Sequence, residues 1–126
     1  PVSRVVCLGS PLCGSLVARR LGGVRGLRAV LGRSRRLMAD GLERWDGNAE
    51  VGVIAGSRSV GLGFLAGRIE RPHDGTVSVS ETRLAGIADH CVIPTTHSGL
   101  LFSRAAIAQT LAFLQTGRFA GEPFSA

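Results

Sequence analysis

The chain has 126 residues, 44% of them hydrophobic and 19% charged, which describes one folded domain with its own core rather than a disordered polymer. No apolar run approaches the roughly 20 residues of a membrane span, and Pro1 to Leu8 lacks the layout of a signal peptide. The formal charge is +6 and all 15 basic residues are arginine, yet aromatics are 5% and tyrosine is absent, so the chain offers no basic–aromatic surface for stacking on bases. Arginine here fills solvated faces, including the Arg33-Ser34-Arg35-Arg36 cluster, and no nucleic-acid partner is expected.

In chain order, Ser3 to Leu8 is a short apolar run closed by Gly9-Ser10-Pro11, the pattern of a buried parallel strand. A domain opening on such a strand is expected to have further strands before it. Ser15 is placed to cap a helix reaching about Leu21, and Val24, Leu27 and Leu31 form one face of a second helix. Residues 33–49 are polar and mixed; they read as surface structure, with a lid built on Leu37, Met38, Leu42 and Trp45 as the alternative. Glu50 to Ala55, rich in β-branched residues, is the second strand, and Ser57 to Arg71 is a glycine-punctuated loop or hairpin. His90 to Ile93 is the third strand. Ser103 then caps a last helix whose apolar positions Ile107, Leu111 and Leu114 are expected against the sheet, with Ala108 and Ala112 allowing a close approach and Gly117 as the stop.

Strands near 4–8, 50–55 and 90–93 alternating with helices predict an α/β fold with a doubly wound, mostly parallel sheet. Such sheets bind ligands beyond the carboxyl ends of their strands. Two candidate residues follow strand ends, Asp74 in the Asp74-Gly75 turn and His97 in a small-residue loop. A histidine with an unperturbed pKa of about 6.5 can take a proton from a serine hydroxyl, and a carboxylate on its far ring nitrogen fixes the tautomer. The plain alternatives are that Asp74-Gly75 is only a turn and His97 only a loop histidine bonded to backbone. His73 and His90 compete for the carboxylate; His73 is expected to point away from it, and His90 to make an exposed ion pair with Asp89. A metal site from His73, His90, His97 and Asp89 lacks regular ligand spacing, and no cofactor is expected. Cys7, Cys13 and Cys91 fit no zinc pattern and cannot all pair, a usage that favours a reducing, cytoplasmic compartment.

The chain resembles the C-terminal half of bacterial α/β-hydrolases of the lipase/esterase type, a set often grouped with GPI-inositol-deacylase-like hydrolases. The resemblance is carried by Val51 to Ser57, by Asp74-Gly75-Thr76-Val77 through Leu84, by Ala88-Asp89-His90, and by His97-Ser98-Gly99-Leu100-Leu101-Phe102-Ser103. Leu8-Gly9-Ser10-Pro11-Leu12-Cys13-Gly14-Ser15 is similar to the family's segment after the nucleophile helix, so the likeness runs from about Val5 to Phe119. It implies a serine carboxylic-ester hydrolase working through an acyl-enzyme, with an ester or lipid substrate. Carried over by position, the acid falls on Asp74 and the base on His97. His73 departs from the pattern, which has a small polar residue such as Asn there. More seriously, no Gly-x-Ser-x-Gly occurs in the chain. The nucleophile and the oxyanion N–H groups are therefore expected in a missing N-terminal half, and this chain alone is expected to be inactive. A non-catalytic α/β binding or scaffold module is the alternative.

Overall fold

The structure, a computed structural model, describes residues 1–15, 40–60 and 69–121. Three strands, β1 (Arg4–Leu8), β2 (Glu50–Gly56) and β3 (Asp89–Ile93), form a parallel sheet in the order β1-β2-β3. The register pairs Leu8 with Ile54 and Gly56 with Ile93, so all three strands end on one side of the sheet. Helix α1 (Arg104–Thr116) packs on this sheet, giving an α/β arrangement. The expected strands thus form within a residue or so of their predicted bounds. The helices expected from Ser15 and Val24, and most of the glycine-rich loop, lie outside the described residues.

Central position decides burial. From Val51 to Gly56, β2 is buried throughout, as a parallel strand covered on both faces must be. β1 was expected to be buried as well, but every one of its residues is only half-buried. Among the described residues it pairs with β2 alone, on one side only. The core joins Ile54 and Ile93 of the sheet to Leu100 and Ala106, with Val6, Leu8, Cys91 and Phe119 packed around them. The half-buried thiols Cys7 and Cys91 are free; burial pushes Cys7 up and Cys91 to about 12, the inert behaviour of small core hydrophobes.

The expected face of α1 is overturned. Ile107, Leu111 and Leu114 are exposed, and Ala108 with them; the buried positions are Ala106, Gln109 and Phe113. The reason is a notch in β2. A side chain at Gly52 would lie 2.6 Å from the Phe113 ring, so the absence of one lets the ring rest directly on the strand. Phe113 is fully buried there, with the Phe119 ring centroid 5.0 Å away. Burying one phenylalanine is worth about 2–3 kcal/mol.

Both ends of α1 follow the sequence signals. The Ser103 hydroxyl accepts the Ala106 N–H at 3.3 Å, and Gly117 ends the helix with φ +80° while its N–H donates to the Phe113 carbonyl at 2.8 Å. Arg4, ion-paired with Glu50 at 2.7 Å, donates to the carbonyls of Leu114 and Gln115 and so ties the helix end to β1. No helix among the described residues is long and apolar enough to cross a membrane.

Candidate active site

Residues 72–79 form a compact turn. The Asp74 N–H donates to the Val77 carbonyl at 3.1 Å, and the Val79 N–H to the Pro72 carbonyl at 2.9 Å. A single 3-10 turn, Ser80–Thr82, then leads toward β3. The Asp74 carboxylate serves this turn with one oxygen: Oδ1 accepts the N–H groups of Thr76 at 2.9 Å and Val77 at 2.8 Å. This is the short-range side-chain bonding that suits Asp to turns. The other oxygen, Oδ2, is left for a partner.

That partner is His97. Its ring Nδ1 lies 2.7 Å from Asp74 Oδ2, within the range expected for an acid that orients a base. The histidine backbone is held too, since the His97 N–H donates to the Asp74 carbonyl at 3.0 Å. His97 precedes the 3-10 turn Ser98–Phe102, in which the Leu100 N–H bonds back to Thr96 and His97 and anchors Leu100 in the core. Asp74 is 1% exposed and His97 38%, so the acid is sealed while the ring reaches the surface. Nδ1–H donates to the carboxylate, which leaves Nε2 as the basic nitrogen, and among the described residues no group bonds to it.

The electrostatics match this geometry. Burial pushes the Asp74 carboxyl up, but the His97 hydrogen bond and the N–H groups of Val77 and Thr76 together hold it below the ordinary carboxylate range. The Asp74 hydrogen bond lifts His97 above its ordinary value; burial opposes this and the carboxylate charge reinforces it. The carboxylate thus favours its ionised form, and the imidazole on it favours the protonated one.

The competing histidines are engaged elsewhere. His73 Nδ1 accepts the Gly75 N–H at 3.1 Å, the bond that an Asn at this position would make to the turn, and makes no bond to the Asp74 carboxylate. His90 does not form the expected ion pair with Asp89. Its Nε2 lies 2.8 Å from Thr82 Oγ1, and because that hydroxyl donates to the Val79 carbonyl at 2.7 Å, the ring N–H must donate to it. His90 Nδ1 is buried without a partner. The Asp89 carboxylate instead accepts the N–H groups of His90 and Phe119, both at 2.8 Å. Among the described residues no three His, Cys, Asp or Glu side chains converge to hold a metal.

Of the four lid candidates, Leu37 and Met38 lie outside the described residues. Leu42 is exposed, and its N–H donates to the Leu12 carbonyl. Trp45 is tied down by Nε1 to the Ala49 carbonyl at 2.8 Å and by its N–H to Ala85. Sequence reasoning missed two contributors to the site: Gly9, read there only as part of a strand stop, and Gly56, which closes β2. A side chain on Gly9 would lie 2.9 Å from His97 Nδ1, and one on Gly56 would lie 2.7 Å from Asp74 Cβ. The available signal was a glycine immediately after each of two apolar runs. Comparison with protein-family models, with curated proteins and with solved structures gave no match to this chain.

Proposed function

We propose that this chain carries the acid–base half of a serine carboxylic-ester hydrolase of the α/β-hydrolase type, with Asp74 as the orienting acid and His97 as the general base. The observation that carries the reading is the 2.7 Å contact between a sealed, doubly N–H-bonded carboxylate and a surface-reaching imidazole beyond the carboxyl ends of parallel strands. A structural histidine needs no ionised carboxylate behind it and no free outer nitrogen. A general base needs both.

In the proposed chemistry His97 Nε2 removes the proton of a serine hydroxyl as its oxygen attacks the ester carbonyl. Asp74 stabilises the resulting imidazolium, and the same Nε2–H is returned to the departing alcohol. Water then attacks the acyl-enzyme by the same proton path in reverse. The attacking serine and the oxyanion donors are supplied from outside this chain, which has no Gly-x-Ser-x-Gly. Substrates are small esters or lipids.

The test joins the chain to an α/β-hydrolase strand–turn–helix segment that bears a Gly-x-Ser-x-Gly and assays p-nitrophenyl ester hydrolysis and fluorophosphonate labelling. The joined protein is expected to label at one serine and to lose turnover with His97→Ala. The 126-residue chain alone is expected to do neither. Labelling of a serine within this chain, or full turnover with His97→Ala, removes the reading.

A further inference from the structure

The acid and the base each back onto a glycine at the carboxyl end of a strand, and we infer that Gly9 is the positioning residue that holds the His97 ring on Asp74. This rests on the reading of Asp74 and His97 as an acid–base pair, but the argument is steric.

Gly9 follows the last residue of β1, is buried, and has φ +56°, the left-handed region that favours glycine. Its backbone cannot withdraw from the site, because its N–H extends the parallel ladder by donating to the Ile54 carbonyl of β2 at 2.8 Å. A methyl group built there would stand 2.9 Å from His97 Nδ1, 3.0 Å from His97 Cε1 and 3.0 Å from Leu100 Cδ1. Leu100 is a fully buried core residue, whereas the His97 ring reaches the surface and has room to turn. The ring must give way instead, and the edge the methyl meets is the one carrying the Nδ1–H bond to Asp74. The imidazole is therefore clamped between the Gly9 backbone and the Asp74 carboxylate. A residue with any side chain at position 9 trades the clamp for a rotated ring.

Gly56 does the same for the acid. A side chain there would meet the Thr95 carbonyl oxygen at 2.6 Å and Asp74 Cβ at 2.7 Å. Gly56 closes β2 as Gly9 follows β1, so two neighbouring strand ends, set in register by the sheet, fix the separation of acid and base.

The experiment titrates the His97 ring by NMR in the full chain and follows thermal unfolding, with Gly9→Ala, His97→Ala and the double variant. Gly117→Ala is the control. It also places a methyl at positive φ, +80°, but at the other end of the sheet, where its nearest neighbours are the side-chain ends of Glu50 and Arg4. Gly9→Ala is expected to lower the His97 midpoint by about one pH unit or more, the contribution of a lost carboxylate partner, while Gly117→Ala leaves it in place. His97→Ala is expected to raise the unfolding temperature of Gly9→Ala, by removing the ring that the methyl strikes, and to give Gly117→Ala no such relief. If Gly9→Ala does not fold by itself, the double variant is expected to fold. A folded Gly9→Ala with an unmoved His97 midpoint overturns the inference. So does a double variant no more stable than Gly9→Ala, or one that fails to fold while His97→Ala does. None of these readouts uses catalysis, so a failure to hydrolyse esters would end the hydrolase reading and leave the role of Gly9 intact.

Discussion

His97 and His90 are both half-buried, both sit on the last strand or just beyond it, and each makes one ring hydrogen bond. They have opposite electrostatics. His97 bonds to a carboxylate and is raised above its ordinary value. For His90, burial and then the Arg83 charge outweigh Asp89, and its pKa falls to about 4. Burial of a histidine therefore says little about what it can do. A sealed anion makes one ring a strong base, whereas a hydroxyl makes the other a neutral spacer.

The largest effect should come from removing that anion. Asp74→Asn presents an amide in place of the carboxylate facing Nδ1. The His97 midpoint is expected to fall by about one pH unit or more in an NMR titration, with His90 unmoved. Under the proposed function, ester turnover of the joined protein should drop on the order of 10⁴-fold, as expected when a base is left in the wrong tautomer. An unchanged His97 midpoint would erase the distinction between the two rings.

The next effect is on stability against pH, where the two rings act with opposite signs. His97, raised in the folded state, contributes stability that is complete below its unfolded value of about 6.5 and is lost as pH climbs through the higher folded value. His90, depressed to about 4, contributes stability that is complete above about 6.5 and is lost as pH falls through that window. Denaturant unfolding across pH should then show a maximum near pH 6.5, with an acid limb on the order of 2 kcal/mol. His90→Gln should flatten the acid limb and His97→Ala the alkaline one. A single limb surviving both changes would assign the pH dependence to other groups.

A smaller loss is expected from Thr82→Val, which strands the His90 N–H in the interior. It should cost about 1–2 kcal/mol in chemical denaturation while the His97 titration stays put. The smallest effect belongs to the third histidine. His73→Asn preserves a side-chain acceptor for the Gly75 N–H and should change stability by less than about 0.5 kcal/mol, with His97 again unmoved. A large shift of the His97 midpoint in either variant would show that the site depends on more of the chain than the Asp74 contact.

Much of the frame was legible in the sequence, because the signals are local. Apolar, β-branched runs bounded by glycine and proline specify β1, β2 and β3, whatever surrounds them. Ser103 and Gly117 mark the ends of α1 because a hydroxyl acceptor and a left-handed backbone act within one turn. Residue type and chain order made Asp74 and His97 candidates beside the plain turn and loop readings, and the resemblance of the segments that carry them gave them their roles.

What the sequence could not decide depends on residues far apart in the chain. The buried face of α1 is set by a missing side chain at Gly52, more than fifty positions from the Phe113 ring that fills the gap, and hydrophobic spacing along the helix carries no trace of it. The Thr82 hydroxyl, rather than Asp89, engages His90 because the turn after Asp74 delivers it to β3. Gly9 and Gly56 become parts of the site only once the parallel register brings two strand ends beside the Asp74–His97 pair. Periodicity, caps and turns are short-range forces written residue by residue. Steric fit and hydrogen-bond partnership between distant segments come into being only when the sheet is assembled.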